Sequence, residues 1–140
     1  MPPTSHKGYD FGDLTGQIIR AALNVHAQLG PGFREVIYQR ALLVELQAAG
    51  LEAQREFKIP LYYRGHHIGT QRVDFLVEDC MVEVKAHSEL RDEDFVQALS
   101  YLKASRYPLG LLINFGSKKL GIKRLLNDQP VYDPANHHNF

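Results

Sequence analysis

The sequence predicts an α/β fold, with a mixed central sheet flanked by helices. Three observations predict it. Two segments with apolar residues at helical spacing open the chain, and three strand-like segments follow. A third helical segment then leads to LGLLINF at 109–115, a continuous apolar run of the kind found in strands buried on both faces. A strand meander followed by a helical crossover to another strand requires a mixed sheet with helices packed on it.

Each element has a local cause. Asp13 is placed to cap a helix over about 14–29, where Leu14, Ile18, Ala21, Ala22, Val25 and Leu29 recur at helical spacing. Gly30-Pro31-Gly32 breaks it. A second helix spans about 35–49, with Ile37, Ala41, Val44 and Ala48 expected on its inner face and Gly50 as a left-handed cap. Strand-like segments cover about 53–63, 68–77 and 80–86. Pro60 marks the first as an edge strand or a bulge. Arg64-Gly65-His66 is a turn, and Glu78-Asp79 joins the other two strands tightly. A helix over about 92–104 turns Phe95, Ala98, Leu99 and Leu102 inward. We expect one domain over 1–140, with its core at about 13–126 and loose tails at 1–9 and 127–140.

Composition narrows the function. With 44 % hydrophobic residues the 140-residue chain can build a core. No apolar run approaches the ~18 residues of a membrane span, and the N-terminus has no secretory apolar region. Cys80 is the one cysteine, which excludes an intrachain disulfide and fits a reducing, cytoplasmic setting. It reads as a small buried hydrophobe. The 16 basic and 16 acidic residues cancel, which argues against a protein wrapped in nucleic acid. The charges are uneven, however. Seven acids fall in 78–94, and six bases with no acid fall in 103–124: Lys103, Arg106, Lys118, Lys119, Lys123 and Arg124. An acidic zone for a cation beside a basic zone for phosphate suits nucleic-acid chemistry, and two solvated surface runs fit equally. There is no glycine loop ending in G-K-S/T and no serine nucleophile elbow.

The chemistry lies in the second and third strands. Alternation puts Glu83 and Lys85 on one face and Val82 and Val84 on the other. A two-residue turn at Glu78-Asp79 pairs Val77 with Cys80, Phe75 with Val82 and Val73 with Val84. That register gives one apolar face and sets Asp74 opposite Glu83 and Arg72 opposite Lys85. Facing carboxylates repel, and a hard divalent cation offsets the repulsion. Lys85 would assist the attacking water or neutralise charge on the phosphoryl oxygens. A solvent-facing ladder of mixed charge, Asp74 with Lys85 and Arg72 with Glu83, fits the same spacing. Glu35, at the start of the second helix, can add a third carboxylate or simply favour the helix dipole. Gln97 and Tyr101 share a helix face, as phosphate-positioning groups or as a polar stripe.

The stretch VHAQLGPGFREVIYQRALLVEL, with Gly32, Glu35 and Tyr38, resembles the signature of the GxxExxY protein family. VDFLVEDCMVEVKA, QALSYLKA and LGLLINFG resemble the same family, over about 13–126. The resemblance implies the PD-(D/E)XK nuclease superfamily and a restriction-endonuclease-like αβββαβ core. It matches Asp74, Glu83 and Lys85 to the motif's two acids and lysine, and Glu35 to its helix carboxylate. Gln97 and Tyr101 match the Q-x-x-x-Y element of an exonuclease branch that processes DNA ends. Val73 stands where the superfamily's name has proline, a position that serves strand geometry.

The resulting expectation is a nuclease dependent on Mg²⁺ or Mn²⁺ that hydrolyses phosphodiester bonds, DNA favoured over RNA. The metal ligands would be Asp74, Glu83, the Val84 carbonyl and Glu35, with His26 a possible addition or a hydrogen-bonded structural histidine. The six bases of 103–124 would contact nucleic acid. A catalytically silent nucleic-acid or protein-binding module, and a small-molecule or nucleotide phosphodiesterase, are the alternatives. The apolar edge at Leu61-Tyr62-Tyr63 is where a homodimer would pair.

Overall fold

A computed structural model describes residues 11–127. The order is α1 (Phe11–Leu29), α2 (Glu35–Ala48), β1 (Ala53–Tyr63), β2 (His66–Val77), β3 (Cys80–Lys85), α3 (Asp92–Lys103), β4 (Leu109–Asn114) and β5 (Gly121–Leu126). The strands form one mixed sheet in the order β1-β2-β3-β4-β5. β3 and β4 pair in parallel, across the α3 crossover, and the other pairs are antiparallel. Helices α1 and α2 cover one face and α3 the other, so the α/β architecture agrees with a restriction-endonuclease-like core. Among the described residues, no helix is long and apolar enough to cross a membrane.

Two apolar clusters sandwich the sheet. Phe75, Val77, Val82, Val84, Leu111 and Ile113 pack under α1 and α2. Leu76, Met81, Ile59 and Leu125 pack under Ala98 and Leu102 of α3. Every residue of β4 is buried, the reason its sequence lacks alternation. Cys80 is a buried free thiol, and burial pushes its pKa up. Gly50, at φ 78, ends α2 in a Schellman motif: its amide bonds the Gln47 carbonyl, and Leu51 bonds Leu46. β1 is the sheet edge, and Pro60 lies one residue before a register shift at Leu61/Tyr62.

Several expectations need correction. Helix α1 begins at Phe11, so Asp13 lies in its first turn rather than capping it. Helix α2 buries Tyr38, Gln39, Leu42 and Leu46, while Val44 is 65 % exposed. Its sequence is apolar nearly all round, so periodicity could not choose the face. Val73 does not share a face with Phe75 and Val77, because it belongs to the α3 cluster. The β1–β2 ribbon changes sides at Glu56, a non-glycine residue at φ 55 between the rungs Arg55↔Phe75 and Phe57↔Val73. β5 is an added strand, antiparallel to β4. Asn127, expected to open a loose tail, is buried, and its side-chain amide donates to the carbonyls of Leu102, Ser105 and Tyr107. The other expected tail residues, 1–9 and 128–140, lie outside the described residues.

The carboxyl ends of β3 and β4 are clasped together. Asn114 accepts from the amides of His87 and Gly116 through Oδ1, and its Nδ2 donates to the His87 carbonyl. Gly116 lies so close that a Cβ there would stand 2.4 Å from the Ala86 carbonyl carbon. Backbone cannot swing aside as a side-chain end can. Gly116→Ala is therefore expected to cost about 2 kcal/mol or more. Gly16→Ala, in α1 where an added Cβ would meet nothing within 4 Å, should gain up to about 1 kcal/mol. Urea unfolding of the two variants checks both signs.

Candidate active site

The two-residue turn fixes the register of β2 and β3, with rungs at Val77↔Cys80, Leu76↔Met81 and Phe75↔Val82. Glu78 turns the chain at φ 54. Beyond Phe75 and Val82 the bonding changes partners. The Glu83 carboxyl accepts the Asp74 amide at 2.8 Å, and the Asp74 carboxyl accepts the Val84 amide at 2.7 Å. Side chains thus satisfy backbone donors in the gap between the strands. The amide and carbonyl of one strand residue point to the same side. The Val84 carbonyl therefore faces this gap, as its amide does.

Both acids are held from water, with Glu83 only 8 % exposed. Burial raises the Asp74 pKa, opposed by the Val84 amide and by the positive charges of Lys85 and Arg55. Burial and the neighbouring Asp74 charge push Glu83 up to about 8, again opposed by Lys85. Each carboxyl accepts an amide of the other's strand, so the two lie side by side in the gap. Without a cation, such a pair holds a proton between its members. With one, two ionised oxygen donors, a lysine alongside and a carbonyl aimed inward fit a hard divalent ion.

The other expected residues are placed as follows. Glu35 is the first residue of α2, one helical turn before the buried Gln39. Among the described residues, no three His, Cys, Asp or Glu side chains are grouped closely enough to hold a metal, so neither Glu35 nor His26 completes such a set with Asp74 and Glu83. The His26 Nε2 donates to the Ser117 carbonyl at 2.9 Å, the structural role. Tyr38 donates to the Gly30 carbonyl, accepts the Phe33 amide and stacks on Phe115 at 4.8 Å, which fixes the loop before Glu35. Gln97 is exposed on α3, and Tyr101 packs partly against the α3 cluster, on the sheet face of Glu83 and Lys85.

The six bases are exposed but do not form one stripe. Lys103 ends α3, and Arg106 stacks over Tyr107 at 5.1 Å. Lys118 and Lys119 lie in the β4–β5 connection, and Lys123 and Arg124 point to opposite faces of β5. Two groups near the site escaped the sequence reading. Arg55 donates to Gln39 at 2.7 Å, and Asp94 lies 3.5 Å from the His87 ring. Their signal was no more than a charge at a strand edge and an acid in a first helical turn.

Parted strands around a buried carboxyl pair, on a mixed sheet between helical layers, define an α/β protein with two acids set together at the split in its sheet. The chain belongs to the PD-(D/E)XK nuclease superfamily, whose family model matches residues 12–125. That superfamily typically uses divalent metal ions. No curated protein and no solved structure matches the chain.

The raised Glu83 pKa makes the cation-free fold sensitive to alkali. Glu83 titrates near 4.5 when unfolded and near 8 when folded, so the folded state binds more protons between those values. Stability in chelator should therefore fall as pH rises from about 5 to 8. Added Mg²⁺ should reduce that fall, and Asp74→Asn should lessen it by removing the neighbouring charge while the burial of Glu83 remains. Denaturant midpoints at several pH values, with and without Mg²⁺, measure this.

Proposed function

We propose that the chain is a metal-dependent nuclease of the GxxExxY group that hydrolyses phosphodiester bonds of nucleic acid. The observation that carries this reading is the buried Asp74–Glu83 carboxyl pair, with Lys85 beside it, in the gap between β2 and β3. Mg²⁺ or Mn²⁺ would be held by Asp74, Glu83 and the Val84 carbonyl, with water and substrate oxygens in the remaining positions. Bound there, the cation would supply Lewis-acid stabilisation of charge on the phosphoryl oxygens.

The chain's own groups do the rest. Lys85 is charged and close to both acids, so it orients the attacking water and offsets negative charge at phosphorus. Gln97 and Tyr101, one turn apart on the helix that covers this face, position the scissile phosphate. Their match to the Q-x-x-x-Y element of DNA-end-processing enzymes supports DNA over RNA. Lys103, Arg106, Lys118, Lys119, Lys123 and Arg124 contact the sugar–phosphate backbone from more than one surface. The lone buried Cys80 is compatible with a cytoplasmic setting.

Purified protein should cut DNA in Mg²⁺ or Mn²⁺ and stop in chelator. Lys85→Ala and Asp74→Asn should each lower kcat at least about 100-fold with little change in fold. The assay includes single- and double-stranded DNA, RNA and cyclic dinucleotides. Undiminished cleavage by Lys85→Ala sinks the mechanism. Binding of nucleic acid and metal without cleavage would make the chain a binding module.

A further inference from the structure

Arg55 is an arginine with incomplete bonding. It lies on the edge strand β1, yet its side chain is only 23 % exposed. A guanidinium withdrawn from water needs partners for its donors. Nη2 donates to the buried Gln39 at 2.7 Å and lies 3.7 Å from the Glu56 carboxylate. Nε is buried and has no partner. An orphaned buried donor is uncommon enough to need an explanation.

Its surroundings supply one. Arg55 forms a rung with Phe75, the residue after Asp74. The next residue, Glu56, holds a left-handed conformation, at φ 55, that L side chains rarely adopt. That turn occurs opposite Asp74, where the rungs on either side are intact. Gln39 lies one turn beyond Glu35 on α2, so the two share a helix face. Arg55 thus joins the strand that carries Asp74 to the helix that carries Glu35.

We propose that Arg55, braced by Gln39, is a positioning residue that orients Asp74 for a divalent cation. The inference rests on the cation-site reading above. The unpartnered Nε–H is the donor that this role would use. Groups that bond metal ligands from behind commonly set metal affinity by 10–100-fold, which fixes the scale to look for.

The test is Mn²⁺ affinity, measured calorimetrically on protein shown to be folded by circular dichroism. Wild type should bind Mn²⁺, and Asp74→Asn should lose binding. Arg55→Gln should bind at least about tenfold more weakly, and Arg55→Lys should recover part of the loss by restoring charge without the fork of donors. In cleavage assays, Arg55→Gln should need more metal for half-maximal rate, a change that loss of stability alone would not give. If Arg55→Gln does not fold, Gln39→Met removes the brace and keeps the guanidinium, and its Mn²⁺ affinity should also fall. Wild-type affinity in whichever of these variants folds overturns the role of Arg55 and leaves the cation site standing. A wild-type protein that binds no Mn²⁺ overturns both.

Discussion

The parting of β2 and β3 after the Phe75–Val82 rung governs the rest of the molecule. Strands that separate inside a fold expose amides and carbonyls that water cannot reach, and each unpaired group costs free energy. Here the two acids take over the ladder's work: Glu83 receives the Asp74 amide and Asp74 receives the Val84 amide. One feature therefore meets two demands. It closes the hydrogen-bond account of the gap, and it forces two carboxyls together where desolvation penalises their charge. An apolar pair at these positions would leave both amides unsatisfied. A carboxyl pair satisfies them and keeps oxygen available for an ion.

The surrounding elements keep that gap in shape. On one side, Asn114 and Gly116 lock the carboxyl end of β3 to β4, the end from which Lys85 and His87 project. On the other, Tyr38 latches the Gly30-Pro31-Gly32 loop, so that α2 starts in a fixed place beside the sheet. Stacking of Tyr38 on Phe115 joins the two sides, because Phe115 immediately follows Asn114. The glycine–glutamate–tyrosine spacing therefore has a structural cause: its tyrosine holds the loop that delivers its glutamate.

Much of this was legible from local chemistry. A two-residue turn fixes a register, and spacing alone brought Asp74 near Glu83, but the expected Val73–Val84 rung does not form because the ladder ends at Phe75–Val82. Gly50 and the apolar run of β4 were equally readable. The failures share a reason: each depended on what lay across the fold. α2 has apolar residues on most sides, so the face carrying Leu42 and Leu46 was chosen by the sheet. β5, with Lys123 and Arg124 adjacent, looks like charged coil until β4 offers its free edge. Val73 left its expected face because the ribbon turns at Glu56, and nothing in the residue type of Glu56 announces φ 55. The partners of Arg55 and His26 lie 16 and 91 residues away, beyond the reach of any periodicity.

The donor set also bears on which ions would suit the gap. Soft or borderline metals are held by thiolate and imidazole, and among the described residues no Cys or His joins the two acids in a group of three. Cys80 is sealed in the core beneath α1 and α2, and the Nε2 of His26 is committed to the Ser117 carbonyl. What faces the gap is carboxylate and backbone carbonyl, hard oxygen donors in number too few to strip an ion of all its water. Mg²⁺ dehydrates reluctantly and is commonly bound by one or two carboxylates, with waters and substrate phosphate completing its shell. A site of that kind stays incomplete until substrate arrives. Positive charge from Lys85 would then be useful, since it would limit the repulsion between a phosphodiester and the two acids of the proposed site.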